Sequence, residues 1–188
     1  MPTPEIKIWD LFVRVFHWSV VLLFMLDFWL VEDNGNWSLH RLFGYAIAGL
    51  VLMRIIWGFI GPHTARFASF FPTPQRLKRH INDLKQRTID PREGHNPMGG
   101  AMVILLLTML LVITMSGWMQ TWDMFWGEEW LEEFHQLAAN ITMGLVAIHV
   151  AAVVMMTKVT GLPLLRTMLT GKRPGLLVSN NDSKRSSK

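Results

Sequence analysis

The chain has 188 residues, of which 51% are hydrophobic, and it contains nine Trp, eleven Phe and no Cys. A soluble domain of this length could not easily bury so much apolar material, and the lack of Cys excludes disulfides, iron–sulfur clusters and thiolate-ligated or CxxCH-attached haem. The net charge of +4 does not by itself indicate nucleic acid, because the positions of the charges decide their meaning.

Four apolar stretches are long enough to cross a bilayer, which takes about 20 helical residues. They cover residues 11–31, 40–60, 98–118 and 134–157. The sequence therefore predicts an all-α integral membrane protein, a bundle of four transmembrane helices forming one domain over residues 1–173. The remaining residues, 174–188, end in the small and polar run VSNNDSKRSSK, and we expect them to be a polar, disordered tail.

The first two spans each begin near a residue suited to capping a helix, Asp10 for the first and Ser38 for the second. Arg14 and His17 interrupt the start of the first span, and no small-residue cleavage site follows it, so a signal peptide is not expected. In the second span, His40 lies in the first turn.

The long loop 61–97 precedes the third span. Within it, Leu77, Ile81 and Leu84 recur at helical spacing among basic residues, which predicts a short amphipathic helix on the membrane surface. His63 and His80, in the same loop, are interpreted as surface residues.

The charges predict the orientation, because Lys and Arg favour the cytoplasmic side of a membrane. Loop 61–97 and the segment after Thr157 each carry seven basic residues, whereas the connectors 32–39 and 119–133 carry acids and no Lys or Arg. We therefore expect both termini and loop 61–97 on the cytoplasmic side of the membrane. The basic residues then indicate topology and contact with lipid headgroups, and nucleic acid is excluded as a partner.

Four histidines lie within the spans at two depths. His135 and His149 are fourteen residues apart, about 40° short of four full turns and about 21 Å along a helix axis, so they share one face of the fourth span. His40 matches the depth of His135 near the outer end, and His17 matches the depth of His149 towards the inner end. The sequence thus predicts an outer pair, His40 and His135, and an inner pair, His17 and His149.

Two facing imidazoles at one depth suit the axial ligation of haem iron, and a four-helix bundle can enclose so large and apolar a group. Two alternatives remain. Membrane histidines also hydrogen-bond neighbouring helices, and zinc binds imidazole but requires three or four ligands at one point.

Small and basic residues near the pairs extend this prediction. Glycines would leave room for a flat ring, and arginines would pair with its propionates. The candidates for ring packing are Gly44, Gly117 and Gly144, and those for propionate binding are Arg14, Arg41 and Arg54.

Several motifs occur in order along the chain: RVFHW at Arg14–Trp18, LHRLFGY and RIIWGFIG within Leu39–Gly61, GHNPMGG at Gly94–Gly100, and H-x13-H in the last span. Together they resemble the prokaryotic cytochrome b561 family, which is related to the membrane b-type cytochrome subunits of nickel–iron hydrogenases. The resemblance covers roughly residues 5–173.

The resemblance implies a four-helix cytochrome of a bacterial inner membrane, with two b haems, that exchanges electrons between the quinone pool and a second partner. It implies the same ligand pairs, His17 with His149 and His40 with His135. It also places His95 at a haem edge or quinone pocket, although a simple role at the start of the helix is an equal alternative. Asp27 departs from the family pattern, and we expect it either to accept protons near the outer haem or to reach surface water.

The sequence therefore predicts a di-haem transmembrane electron carrier, either a plain electron-transfer protein or a quinone-linked oxidoreductase. Its outer partner would be a soluble periplasmic redox protein, a small oxidant such as superoxide, or a dehydrogenase subunit. One alternative is a membrane-anchoring cytochrome b subunit of a hydrogenase- or reductase-like complex. Another is a colourless proton pathway through the histidines and Asp27. A homo-oligomer is compatible with the sequence.

Overall fold

Four long helices make up most of the structure, a computed structural model that describes residues 5–86 and 97–174. The elements in chain order are β1 (Glu5–Lys7), α1 (Leu11–Asn34), α2 (Trp37–Ile60), α3 (Phe67–Phe70), α4 (Pro74–Gln86), α5 (Pro97–Met119), α6 (Glu129–Thr160), α7 (Leu164–Thr170) and β2 (Lys172–Pro174). His95 and the tail from residue 175 onward lie outside the described residues, so the domain division at residue 173 stays a prediction.

Helices α1, α2, α5 and α6 are long and apolar enough to cross a membrane, which confirms the predicted bundle of four transmembrane helices. The fourth helix begins at Glu129, five residues before the predicted start of the span, because the acidic residues of its first turn favour a helix N-terminus. It ends at Thr160, because the next residue, Gly161, takes a φ of +70°. Helix α4 covers the predicted amphipathic segment.

The turn between α1 and α2 corrects one predicted cap. The carboxylate of Asp10 accepts a hydrogen bond from the Val13 amide at 3.0 Å, as expected. The cap of α2 is Asn36, whose side chain accepts from the Leu39 amide at 3.2 Å. Ser38 was therefore the wrong cap, because Gly35 takes a φ of +58° and lets the chain reverse two residues earlier.

The bundle core joins the first three spans. Ile47 and Val51 of α2 pack against Leu107 and Leu110 of α5, and side chains of α1 such as Phe16 cover this cluster. Helix α6 packs along α5, while its backbone barely approaches that of α1 or α2. Helix α6 is thus separated from the α1–α2 hairpin by a wider gap than from α5.

A small terminal clasp, formed by residues 5–9 and 171–174, closes one end of the bundle and was not predicted. Strands β1 and β2 pair antiparallel with Ile6 opposite Arg173. Ile8 and Trp9 are buried against Val13 and Ala65. The clasp therefore ties both ends of the described chain to the first span.

Burial of Ile8 predicts that Ile8→Ala lowers the thermal unfolding midpoint in detergent, measured by circular dichroism. The side chain is 2% exposed, and truncating such a residue costs about 2–5 kcal/mol in soluble proteins. A midpoint equal to that of the parent protein would show that the clasp does not contribute to stability.

The exposed ion pair of the clasp supplies the matched control. Lys172 Nζ lies 2.8 Å from Glu5 Oε2, and this hydrogen bond lowers the pKa of Glu5. Any stabilisation from Glu5 is therefore present above the ordinary carboxyl pKa and is lost as the pH falls through the lowered value. Because the pair is open to solvent, Glu5→Gln should change the midpoint much less than Ile8→Ala.

Candidate haem sites

The four histidines of the spans meet in two pairs. The rings of His17 on α1 and His149 on α6 have centroids 6.5 Å apart and planes inclined at 55°. The rings of His40 on α2 and His135 on α6 have centroids 5.9 Å apart and planes inclined at 89°. All four residues are half-buried, and both pairs bridge the gap between α6 and the α1–α2 hairpin.

The separation of the rings fits a shared metal ion. Imidazole nitrogens bind metals at about 2 Å, so two rings on opposite sides of one ion would have centroids roughly 6 Å apart. Each pair offers two imidazoles, and no group of three or more His, Cys, Asp or Glu side chains converges on a metal position within residues 5–86 and 97–174. The donor sets therefore suit a metal whose other ligands come from a macrocycle.

Hydrogen bonds at the outer pair occupy one nitrogen of each ring. Ser116 donates its hydroxyl hydrogen to the Ile113 carbonyl at 3.0 Å, so its oxygen accepts from His135 Nδ1 at 2.9 Å. His40 Nδ1 lies 3.0 Å from each carboxylate oxygen of Asp27. In both rings Nδ1 is thus the donor, and the lone pair of Nε2 is left for a ligand.

The comparison with protein families agrees with this geometry. The family model described as prokaryotic cytochrome b561 matches residues 8–171, a range that contains all four long helices and both histidine pairs. The chain belongs to the prokaryotic cytochrome b561 family. It is thus a multi-pass b-type cytochrome that binds haem b and transfers electrons across a membrane. No curated protein and no solved structure gives a significant match.

The candidate packing glycines of this cytochrome have two different environments. A Cβ added at Gly44 or Gly144 would meet no heavy atom within 4 Å, so both glycines border open space. A Cβ at Gly117 would lie 3.1 Å from His135 Cε1. Gly117 therefore lets the His135 ring lie close against α5.

The candidate propionate residues are engaged to different degrees. Arg54 is 2% exposed, donates to the Ala65 carbonyl at 3.1 Å and lies over the Phe67 ring. Arg14 donates to the Leu169 carbonyl. Each nevertheless keeps one buried nitrogen with no hydrogen-bond partner, Nη1 in Arg54 and Nε in Arg14. Arg41 is exposed.

Sequence reasoning missed Ser116 and the contact between Asp27 and His40 at the outer pair. Ser116 could have been noticed as a polar residue beside Gly117, near the depth of His135. Asp27 was expected to reach surface water or to accept protons. The structure places its side chain, which is 21% exposed, against His40, and both expectations stay predictions. No sequence pattern aligns Asp27 with His40, since the turn between α1 and α2 sets the register of these two residues.

Proposed function

We propose that this cytochrome holds an inner haem b between His17 and His149 and an outer haem b between His40 and His135. The approach of both ring pairs, at 6.5 and 5.9 Å, is the observation that carries the proposal. The two ligands on α6 are separated by about 21 Å of helix rise, which is most of the roughly 30 Å hydrocarbon core. The two haems would then connect the two sides of the membrane.

The two histidine pairs and the residues around them favour electron transfer. Haem iron supplies a reversible one-electron couple when it is bound. If each pair held one haem, two imidazoles would be the protein ligands of its iron, which favours electron transfer over chemistry on a bound substrate. Ser116 and Asp27 orient the outer imidazoles, and the apolar helices exclude water from around the rings. Arg14 and Arg54 could each direct their unpartnered nitrogen towards a propionate of the inner haem.

The proposed electron path runs between the membrane quinone pool and a partner on the outer face. The positive residues support an orientation with both termini on the cytoplasmic side of the inner membrane. The outer segment 123–133 carries exposed acidic side chains, which suit a basic periplasmic redox protein by electrostatic steering. They are Asp123, Glu128, Glu129, Glu132 and Glu133.

The same outer segment also favours a second candidate function. Trp126 and Met124 are 73% and 76% exposed, and large exposed apolar side chains beside acids are common where subunits meet. The chain would then be the membrane-anchoring cytochrome b subunit of a hydrogenase- or reductase-like complex. Copurification of a stoichiometric second chain from native membranes would favour this candidate over the free electron carrier.

The proposed function is tested by a dithionite-reduced minus air-oxidised absorption spectrum of the purified protein, combined with a pyridine haemochrome assay. We expect a sharp α-band of b-type haem and two haems per chain. One haem per chain would eliminate one of the two pairs. A preparation that stayed colourless with haem supplied would refute the cytochrome assignment, and the histidines with Asp27 would become candidates for a proton path.

A further inference from the structure

Asp27 is an acid within the first span, and its carboxylate is aimed at a proposed haem ligand. Both oxygens lie 3.0 Å from Nδ1 of His40. No Lys or Arg in the described part of the chain forms a salt bridge with it. The carboxylate therefore has His40 as its charged or polar partner within the bundle.

An acidic residue at this position carries a considerable free-energy cost. A carboxylate inside a membrane span is unfavourable unless it is paired, and such residues are usually functional. A neutral Ser or Asn could also join α1 to α2 by a hydrogen bond at lower cost. The negative charge thus calls for an explanation beyond holding the two helices together.

The ligands of the two pairs are supported unequally. His40 donates to a carboxylate, and His135 donates to the neutral hydroxyl of Ser116. In the inner pair, Nδ1 of His17 is buried and has no hydrogen-bond partner. A carboxylate acceptor holds the ring in one tautomer and raises its basicity as a ligand, whereas a neutral acceptor does so less. His40 is therefore a more strongly donating imidazole than His135 or His17.

We propose that Asp27 is a positioning residue for the outer haem: by accepting the Nδ1 proton of His40, it presents Nε2 to the iron and lowers the reduction potential of that haem. A more electron-rich imidazole ligand would stabilise the ferric form of a bound haem relative to the ferrous form. The inference rests on the proposed ligation by His40. It makes the two haems unequal in potential because Asp27 contacts a proposed ligand of only one of them.

The test is a spectroelectrochemical titration of the full-length protein with Asp27→Asn. This change keeps the size of the side chain and an oxygen acceptor but removes the charge. We expect two haems per chain, an unchanged inner midpoint and a higher outer midpoint. The ferric–ferrous equilibrium of the outer haem should shift by about tenfold, equivalent to about 59 mV for a one-electron couple.

Asp123→Asn is the matched control, because it removes the same charge from an exposed residue of the outer segment that bonds neither histidine, and the titration contains no partner protein that could dock on that segment. It should change both midpoints by only a small fraction of the shift expected for Asp27→Asn. If Asp27→Asn keeps two haems with both midpoints unchanged, or shifts them no more than Asp123→Asn does, the inference is overturned and Asp27 only joins α1 to α2.

Loss of the outer haem in Asp27→Asn is resolved by Asp27→Glu, which restores a carboxylate. Recovery of the second haem supports the positioning role, and a protein that still holds one haem overturns it. Different results would refute the proposed function. If the parent protein holds fewer than two haems, or if His40→Ala keeps both, ligation by the outer pair is wrong whatever Asp27→Asn does.

Discussion

His149→Ala will leave about one haem per chain, the outer one, and His135→Ala will leave about one, the inner one. Each substitution removes one of the two imidazoles that we propose for an iron, while the other pair lies about 21 Å away along α6 and keeps both of its rings. Haem per chain by pyridine haemochrome measures the loss. The surviving α-band should also differ between the two variants, because Asp27 and Ser116 adjoin only the outer pair.

Double substitutions test the pairing itself. His17→Ala with His149→Ala removes both ligands of one proposed site and should cost one haem. His17→Ala with His135→Ala removes one ligand from each site and should cost both haems. His63→Ala is the control, because this histidine is exposed in the loop after α2 and its removal should leave two haems. If the His17/His149 double variant lost both haems and the His17/His135 double variant lost only one, the histidines would pair differently.

Gly100→Ala will destabilise the protein, although a Gly→Ala change within a helix usually stabilises the helix by up to about 1 kcal/mol. A Cβ at Gly100 would lie 2.2 Å from the backbone oxygen of Phe70. Helix α3 would have to move away from α5, and overpacking of this kind costs about 1–3 kcal/mol. The thermal unfolding midpoint in detergent measures the effect, and we expect it to fall.

Gly49→Ala is the matched control for this substitution. Gly49 is also a helical glycine, on α2, but an added Cβ would meet no heavy atom within 4 Å. Its midpoint should equal or exceed that of the parent protein. Equal midpoints for the two variants would contradict the close contact between α3 and α5.

The spans and the depths of the histidines followed from the sequence because both depend on local properties. Apolar runs of about 20 residues predict membrane helices wherever the chain goes afterwards. The helical repeat then determines that His135 and His149 share one face of α6. The cap at Asp10 is equally local, since its side chain bonds an amide three residues further on.

Predictions that depended on a turn were less accurate. The start of α2 was assigned to Ser38, whereas the positive φ of Gly35 moves the cap to Asn36. The terminal clasp joins residues 5–9 to residues 171–174, and no periodicity in either short segment indicates its partner. Pairings between distant segments depend on where the helices bring the chain ends together.

The sequence by itself determined four membrane helices, the bias of basic residues to one side and the two levels of histidine, because hydropathy, charge and helical repeat act over short stretches of chain. Only the tertiary structure decided which atoms meet. It brings Asp27 to Nδ1 of His40, Ser116 to His135 and Arg54 to the Ala65 carbonyl. These contacts depend on the register and rotation of packed helices, which packing across the whole bundle sets.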